Sequence, residues 1–331
     1  MEQLPVQRIP QKEGKDVRFI DYEPAQGTLL EEVIAGLSKE QKSLPAKFLY
    51  DERGSTLFDE ICELPEYYPT RTEEGIMRTC APAMAERVGA GSMIVEYGSG
   101  SSRKTTLLLD ALEMPRAYIP VDISREHLLT AAQRIGRRYP TMEVVAICAD
   151  YTQDFAVPEI NDARKVAYFP GSTIGNFEPR RAVRFLKNMR KVMGQGGGAL
   201  IGVDLRKPAE VLLPAYADAE GVTAAFNKNV LRRLQREFDA DLDPDAFEHQ
   251  ARFNEREGRI EMHLVASDKQ TMRLGEHKFE FERGESIHTE NSYKFTQEDF
   301  RQLARTSGWS VEEVWTDERE WFSVQYLERA Q

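Results

Sequence analysis

Between Met93 and Val203 the chain repeats one rhythm, a short apolar run of strand length followed by a helical stretch. Met93–Glu96, Ala117–Val121, Met142–Ile147, Lys165–Phe169 and Ala199–Val203 read as strands, and about Lys104–Leu112, Ser124–Arg138 and Pro179–Val192 as helices. Short apolar strands alternating with helices predict a parallel sheet covered by helices on both faces. Ligands of such sheets bind beyond the carboxyl ends of the strands. Those ends carry Gly98, Gly100, Asp122, Asp150 and Asn176.

The first strand runs into Glu96-Tyr-Gly-Ser-Gly100. Gly98, Ser99 and Gly100 form a loop whose glycines permit positive φ and a close approach of backbone to ligand. The helix that follows, with Lys104 in its first turn, offers unpaired N–H groups. A dinucleotide loop would read GxGxxG, but Arg103 stands at the third glycine position, and no GxxxxGK[ST] occurs. Asp122, at the next strand end, suits the two hydroxyls of a ribose, since one carboxylate accepts both bonds. Asp150 with Tyr151 suits adenine, offering an acceptor for the exocyclic amine and a ring to stack on. Taken singly, these are ordinary glycine turns and helix caps. Taken in order on one sheet, they point to S-adenosylmethionine (SAM).

The flanks supply a second body. Gly27–Lys42 has helical spacing at Leu29, Leu30, Val33, Ile34 and Leu37, and Pro45 follows it. Residues 47–70 are rich in aromatics and read as a loop region ending at Pro69, before a helix from Thr72 to Val88. Lys207 to about Tyr293 breaks the rhythm, with a helical run at Ala215–Phe238 and strand-like segments at Arg259–Ala266 and Lys278–Phe281. After a helix at Thr296–Ser307, Trp309–Trp315 and Phe322–Leu327 read as an antiparallel hairpin closing the sheet. The expected architecture is α/β, a class I SAM-methyltransferase fold, Rossmann-like and mostly parallel with a C-terminal antiparallel hairpin. Residues 71–206 and 295–331 would form this core, 16–70 and 207–294 an α+β substrate-binding domain, and 1–15 a disordered start.

Several stretches resemble one family. They are Lys47-Phe-Leu-Tyr-Asp-Glu-Arg-Gly-Ser-Thr-Leu-Phe58, Leu64-Pro-Glu-Tyr-Tyr-Pro-Thr-Arg71, Gly171-Ser-Thr-Ile-Gly-Asn176, Gly221-Val-Thr-Ala-Ala-Phe-Asn-Lys-Asn-Val230 and Thr289-Glu-Asn-Ser-Tyr-Lys-Phe295. The chain is similar, from about Leu44 onward, to the histidine Nα-methyltransferases of ergothioneine biosynthesis. That resemblance implies three methyl transfers from SAM to the α-amine of L-histidine, giving hercynine. It implies that Tyr67, Asn176 and Tyr216 hold the histidine carboxylate and that Tyr50 helps place the amine, so that Tyr50 and Asn176 stand nearest the chemistry. Glu290 and Ser292 would bind the imidazole, with Met262 beside the ring. Gly98, Lys104, Asp122, Asp150 and Tyr151 fall on the family's cofactor positions. Tyr151 stands where a member has Phe, Tyr97 where a leucine occurs, and Trp321–Tyr326 departs further; none of these removes a functional group. Without the resemblance, Tyr67, Tyr216 and Met262 would read as core and Glu290 as surface.

Charge and composition narrow the partners. The 331 residues carry a net charge of −11, which disfavours phosphate backbones, so no nucleic acid is expected. No apolar run is long enough to cross a bilayer and no signal peptide is evident, so no membrane partner is expected and the protein reads as soluble and cytoplasmic. Cys62, Cys80 and Cys148 are scattered, with no CxxC, and read as reduced thiols; no zinc site or other metal is expected. His263, His277 and His288 lie near site segments but read as core or solvated residues. The protein is expected to act as a monomer on a small molecule.

Overall fold

The computed structural model describes residues 6–10, 16–22, 26–100, 103–160 and 163–330. The chain divides into two compact units, one of Met1–Glu23, Pro69–Arg206 and Lys294–Gln331, the other of Pro24–Tyr68 and Lys207–Tyr293.

The first unit is built on a nine-stranded sheet. Its spatial order is Gln7–Ile9, Val17–Asp21, Glu143–Cys148, Ala117–Asp122, Met93–Tyr97, Lys165–Phe169, Gly198–Asp204, Phe322–Arg329 and Trp309–Thr316. From Met93–Tyr97 the chain first builds outward on one side, then returns to lay Lys165–Phe169 on the other. Strand order reverses there, and the crevice at such a switch point is where α/β sheets bind ligands. The C-terminal hairpin is antiparallel to its neighbour, Gly198–Asp204. This is the expected class I methyltransferase layout. Every residue of Met93–Tyr97 is buried because successive side chains enter opposite cores. Val95, Ile119, Phe169 and Ile201 fill one, and Ile94, Tyr118, Tyr168 and Leu200 the other.

Two expectations for the N-terminal segment need correction. Residues 16–22 were assigned to the substrate domain, but Val17–Asp21 pairs in parallel with Glu143–Cys148 in the large sheet. Val17 and Phe19 are buried there, and Arg18 forms an ion pair with Glu143. Gln7–Ile9 then adds an antiparallel edge strand within the stretch expected to be disordered. Residues 1–5 and 11–15 lie outside the described residues. Short mixed runs such as Val-Arg-Phe-Ile-Asp carry too little periodicity to identify a strand.

The second unit contains a three-stranded antiparallel sheet with Arg259–Ala266 in the middle, Ser286–Tyr293 on one side and Phe247–Asn254 on the other. Gln270–Leu274 and His277–Phe281 form a separate ribbon. The expected single helical run at Ala215–Phe238 is interrupted. Pro214–Tyr216 is a short 3-10 turn, and the helix begins at Val222 after Gly221, whose φ is 76°. Asp218 accepts from the N–H groups of Val222 and Thr223 at 2.8 Å each, satisfying donors that a helix start leaves open. Residues 52–63, read as loop, form a helix that Asp51 caps through the Gly54 N–H at 2.7 Å. Pro69 does not end an element; it sits in the first turn of the helix Tyr68–Val88, where its missing N–H costs nothing. No helix of the described residues is long and apolar enough to cross a membrane.

Candidate active site

The cofactor-type residues cluster in the first unit. Gly98 and Gly100 adopt φ of 70° and 44°, left-handed values that other residues rarely take. A Cβ on Gly98 would meet the Tyr151 ring at 3.7 Å, an ordinary contact, so it is the left-handed φ that calls for glycine there. The Gly100 N–H donates to Asp122 at 3.2 Å, and the Ser124 N–H donates to its other oxygen at 3.0 Å. Burial pushes the Asp122 carboxyl up, and these N–H groups pull against that shift. Asp150 accepts from the Thr152 N–H at 3.0 Å and its hydroxyl at 2.6 Å. Tyr151 packs edge-on against Tyr97 and Phe169, with ring centroids 6.1 and 6.0 Å apart. Glycines without Cβ, a strand-end carboxylate and a braced ring together fit an adenosyl group. Ser99 is buried in this loop.

Lys104 is engaged with a residue that sequence reasoning missed. Its ammonium lies 2.5 Å from Glu73, which is fully buried. Glu73 also accepts from the Gly171 N–H at 2.9 Å, and it fills the space over Gly202, where a Cβ would meet it at 2.3 Å. The available signal was positional: Glu73 lies on the same helical stripe as the buried Ile76, Met77 and Met84. A carboxylate on an apolar stripe needs a partner.

Glu96 is a second buried acid, accepting from Thr105 at 2.7 Å and from the Tyr118 hydroxyl. Burial pushes it up to about 8. The folded state therefore holds a proton that the unfolded chain releases near the ordinary carboxyl range. That protonation favours folding fully at low pH, and the advantage is lost as pH rises toward 8. Glu96→Gln should gain stability relative to the parent as pH rises from about 5 to 8. Urea unfolding across that window checks it; parallel pH curves for the two proteins would refute it.

The substrate-type residues gather in the second unit, apart from Asn176. Asn176 ends the 3-10 turn Thr173–Asn176 of the first unit, which follows the left-handed Ser172. The Tyr50 hydroxyl donates to Glu290 at 3.3 Å, so these two side chains are tied together. Tyr216 and Ser292 share a hydrogen bond between their hydroxyls at 2.7 Å. Tyr67 lies edge-on to Tyr216, centroids 6.3 Å apart. Burial first, then the neighbouring Tyr216, Cys62, Tyr50 and Glu290, hold the Tyr67 phenol well above its ordinary range.

A β-bulge aims Glu290. Register shifts between His288 and Glu290, so His288 pairs with His263 while Glu290 pairs with Met262. Residues two apart on a regular strand share a face; the extra residue Thr289 sends His288 and Glu290 to opposite faces. Glu290 thus stands opposite Met262 and buried. On the other face His263 and His288 stack with centroids 4.8 Å apart, near Glu261. Arg259 lies 2.7 Å from Glu261, and although burial pushes that acid up, its bonds from Asn254, Arg259 and His263 bring it down to about 2. A guanidinium already neutralises this cluster, which reads as structural rather than as a cation site.

The profile of the family described as histidine-specific, SAM-dependent methyltransferase matches residues 29–329. A histidine N-alpha-methyltransferase of Mycolicibacterium smegmatis is 42% identical over 90% of this chain and 94% of its own. One from Mycobacterium tuberculosis is 42% identical over 88% of this chain and 91% of its own. Ergothioneine biosynthesis protein 1 of Schizosaccharomyces pombe is 30% identical over 78% of this chain and 35% of its own. The chain therefore belongs to the histidine-specific, SAM-dependent methyltransferase family.

Proposed function

We propose that this protein transfers methyl groups from SAM to the α-amine of L-histidine, three in succession, and so makes hercynine for ergothioneine biosynthesis. The observation that carries the substrate assignment is Glu290, a buried carboxylate turned by a bulge to stand opposite Met262 and bonded by Tyr50. A buried acceptor of this kind favours a side chain that brings an N–H and disfavours one that does not. Ser292 serves the other edge of the imidazole through its hydroxyl. Tyr67 and Tyr216, with Asn176, hold the carboxylate by donating hydrogen bonds without adding a full charge.

The first unit is assigned to the cofactor and the second to the substrate. Gly98, Ser99 and Gly100 line the cofactor, Asp122 takes its ribose hydroxyls, and Asp150 with Tyr151 takes its adenine. Lys104 belongs to the same edge, paired with Glu73. SAM supplies a methyl group already activated on its sulfonium. What remains for the protein is to bind the amine in its neutral form, one proton leaving to water before each transfer. It also holds that amine in line at near-attack distance, so that rotational freedom is already lost on binding. Tyr50 acts at the amine end, with Asn176 on the adjoining carboxylate, and tyrosine ring faces suit the quaternary ammonium that forms. The same reading takes the protein as a cytoplasmic monomer that binds no nucleic acid; its net charge of −11 supports the last point.

Titration of the purified protein with S-adenosylhomocysteine and then L-histidine tests the pairing of ligands. Sequential binding of both is expected; binding of the nucleoside without histidine would contradict the substrate. Asp122→Asn keeps the shape but loses the charge that strengthens two hydrogen bonds. It should weaken SAM by about tenfold, with histidine affinity in the absence of SAM unchanged. An unchanged SAM affinity would remove Asp122 from the ribose.

A further inference from the structure

The resemblance leaves out a polar chain that joins the two ends of the proposed histidine site. Tyr216 closes a short 3-10 turn, and the His249 Nε2 atom lies 2.8 Å from its carbonyl. His249 Nδ1 lies 2.9 Å from Asn227 Nδ2. Asn227 Nδ2 also donates to the His263 carbonyl at 3.2 Å, and Asn227 Oδ1 accepts from the Thr289 hydroxyl at 2.6 Å. The His263 and Tyr216 carbonyls can only accept, so Asn227 Nδ2 is the donor on one side, His249 Nε2 on the other, and His249 Nδ1 accepts from Nδ2. His249 is thereby the neutral Nε2–H tautomer, donating to Tyr216. Thr289 is the bulge residue beside Glu290; its single hydroxyl proton faces Asn227 Oδ1 at 2.6 Å and the Met262 carbonyl at 3.0 Å, and the shorter contact takes the proton. Asn227 and Thr289 are both buried.

We propose that His249, through Asn227 and Thr289, is a positioning residue that sets the spacing between the carboxylate clamp at Tyr216 and the imidazole clamp at Glu290. It touches no substrate. Its ring spans the gap from the Tyr216 turn to the helix Val222–Phe238, which the bulge in turn grips. An amino acid held at both ends is accepted or refused by that spacing. Burial lowers the basicity of His249, which favours the same neutral form.

The proposal rests on histidine being the substrate, and the test separates the two. Histidine binding and steady-state KM are measured for the parent, His249→Leu, His249→Gln, Tyr216→Phe and the double variant His249→Leu/Tyr216→Phe, with SAM affinity and thermal unfolding beside them. His249→Leu should raise the histidine KM by about 10-fold or more with SAM affinity unchanged. His249→Gln keeps a donor for the Tyr216 carbonyl and should recover most of that loss. The double variant should lose less than the product of the single losses, because His249 acts through Tyr216. Independent, multiplying effects would overturn the proposal. So would a histidine KM unmoved in His249→Leu, or equal damage to SAM and histidine binding with no rescue by Gln. A parent protein that binds SAM but no histidine would overturn the substrate assignment and this inference together.

Discussion

Replacing Glu290 by alanine should lower kcat/KM for histidine by about 10²–10³-fold while SAM affinity stays within about twofold. Glu290 is buried, with Tyr50 donating to it at 3.3 Å and Met262 opposite it in the sheet. In the proposed reading, histidine brings an N–H to this carboxylate. Removing the carboxylate strands that N–H, and loss of one partner of a desolvated, charge-assisted bond costs about 2–5 kcal/mol. The variant also removes the bond that Tyr50 donates to Glu290. Glu290→Gln keeps an acceptor of the same size and should lose less, about tenfold. Steady-state kinetics at varied histidine and saturating SAM reads both. A Glu290→Ala enzyme with parental kcat/KM would place the imidazole elsewhere.

The largest stability change should come from a residue outside the proposed site. Lys294 and Asp204 form an ion pair at 2.6 Å, and both side chains are 1% exposed. Asp204 ends the strand Gly198–Asp204, next to the C-terminal hairpin, and its carbonyl accepts from the Phe295 N–H at 3.1 Å. Lys294→Met fills similar volume but leaves a carboxylate buried without its cation. Such an uncompensated charge costs about 3–5 kcal/mol. Denaturant unfolding of Lys294→Met should show that loss. The double variant Asp204→Leu/Lys294→Met should recover much of it, since an apolar pair of like volume needs no compensation. A single variant within about 0.5 kcal/mol of the parent would mean the pair is not buried in solution.

The first unit was legible because its central strands are apolar on both faces and Met93–Tyr97, Ala117–Asp122 and Lys165–Phe169 each lead into a helix. The carboxyl-end residues Gly98, Asp122 and Asp150 follow from that pattern alone. The edge strands Gln7–Ile9 and Val17–Asp21 were not, since each is short and mixes charged with apolar residues. Asp51 caps a helix in a stretch whose aromatics and Pro69 read as loop, and Asp218 sets a helix start inside a run that reads as one continuous helix. The placement of Glu290 was invisible to periodicity. Thr289-Glu-Asn-Ser reads as a polar surface run, and only the bulge turns the glutamate toward Met262. His249 and Thr289 carry no local signal, because their partners are distant in sequence. Glu73 was readable in principle, as a charge on a buried helical stripe.

The most direct test is to incubate the protein with SAM and each proteinogenic amino acid in turn and to follow the amino acid by mass spectrometry. A gain of three methyl groups on histidine, with the others unchanged, is the expected result. Histidine left unmodified while another amino acid gains methyl groups would contradict the histidine assignment and with it the roles given to Glu290 and Ser292.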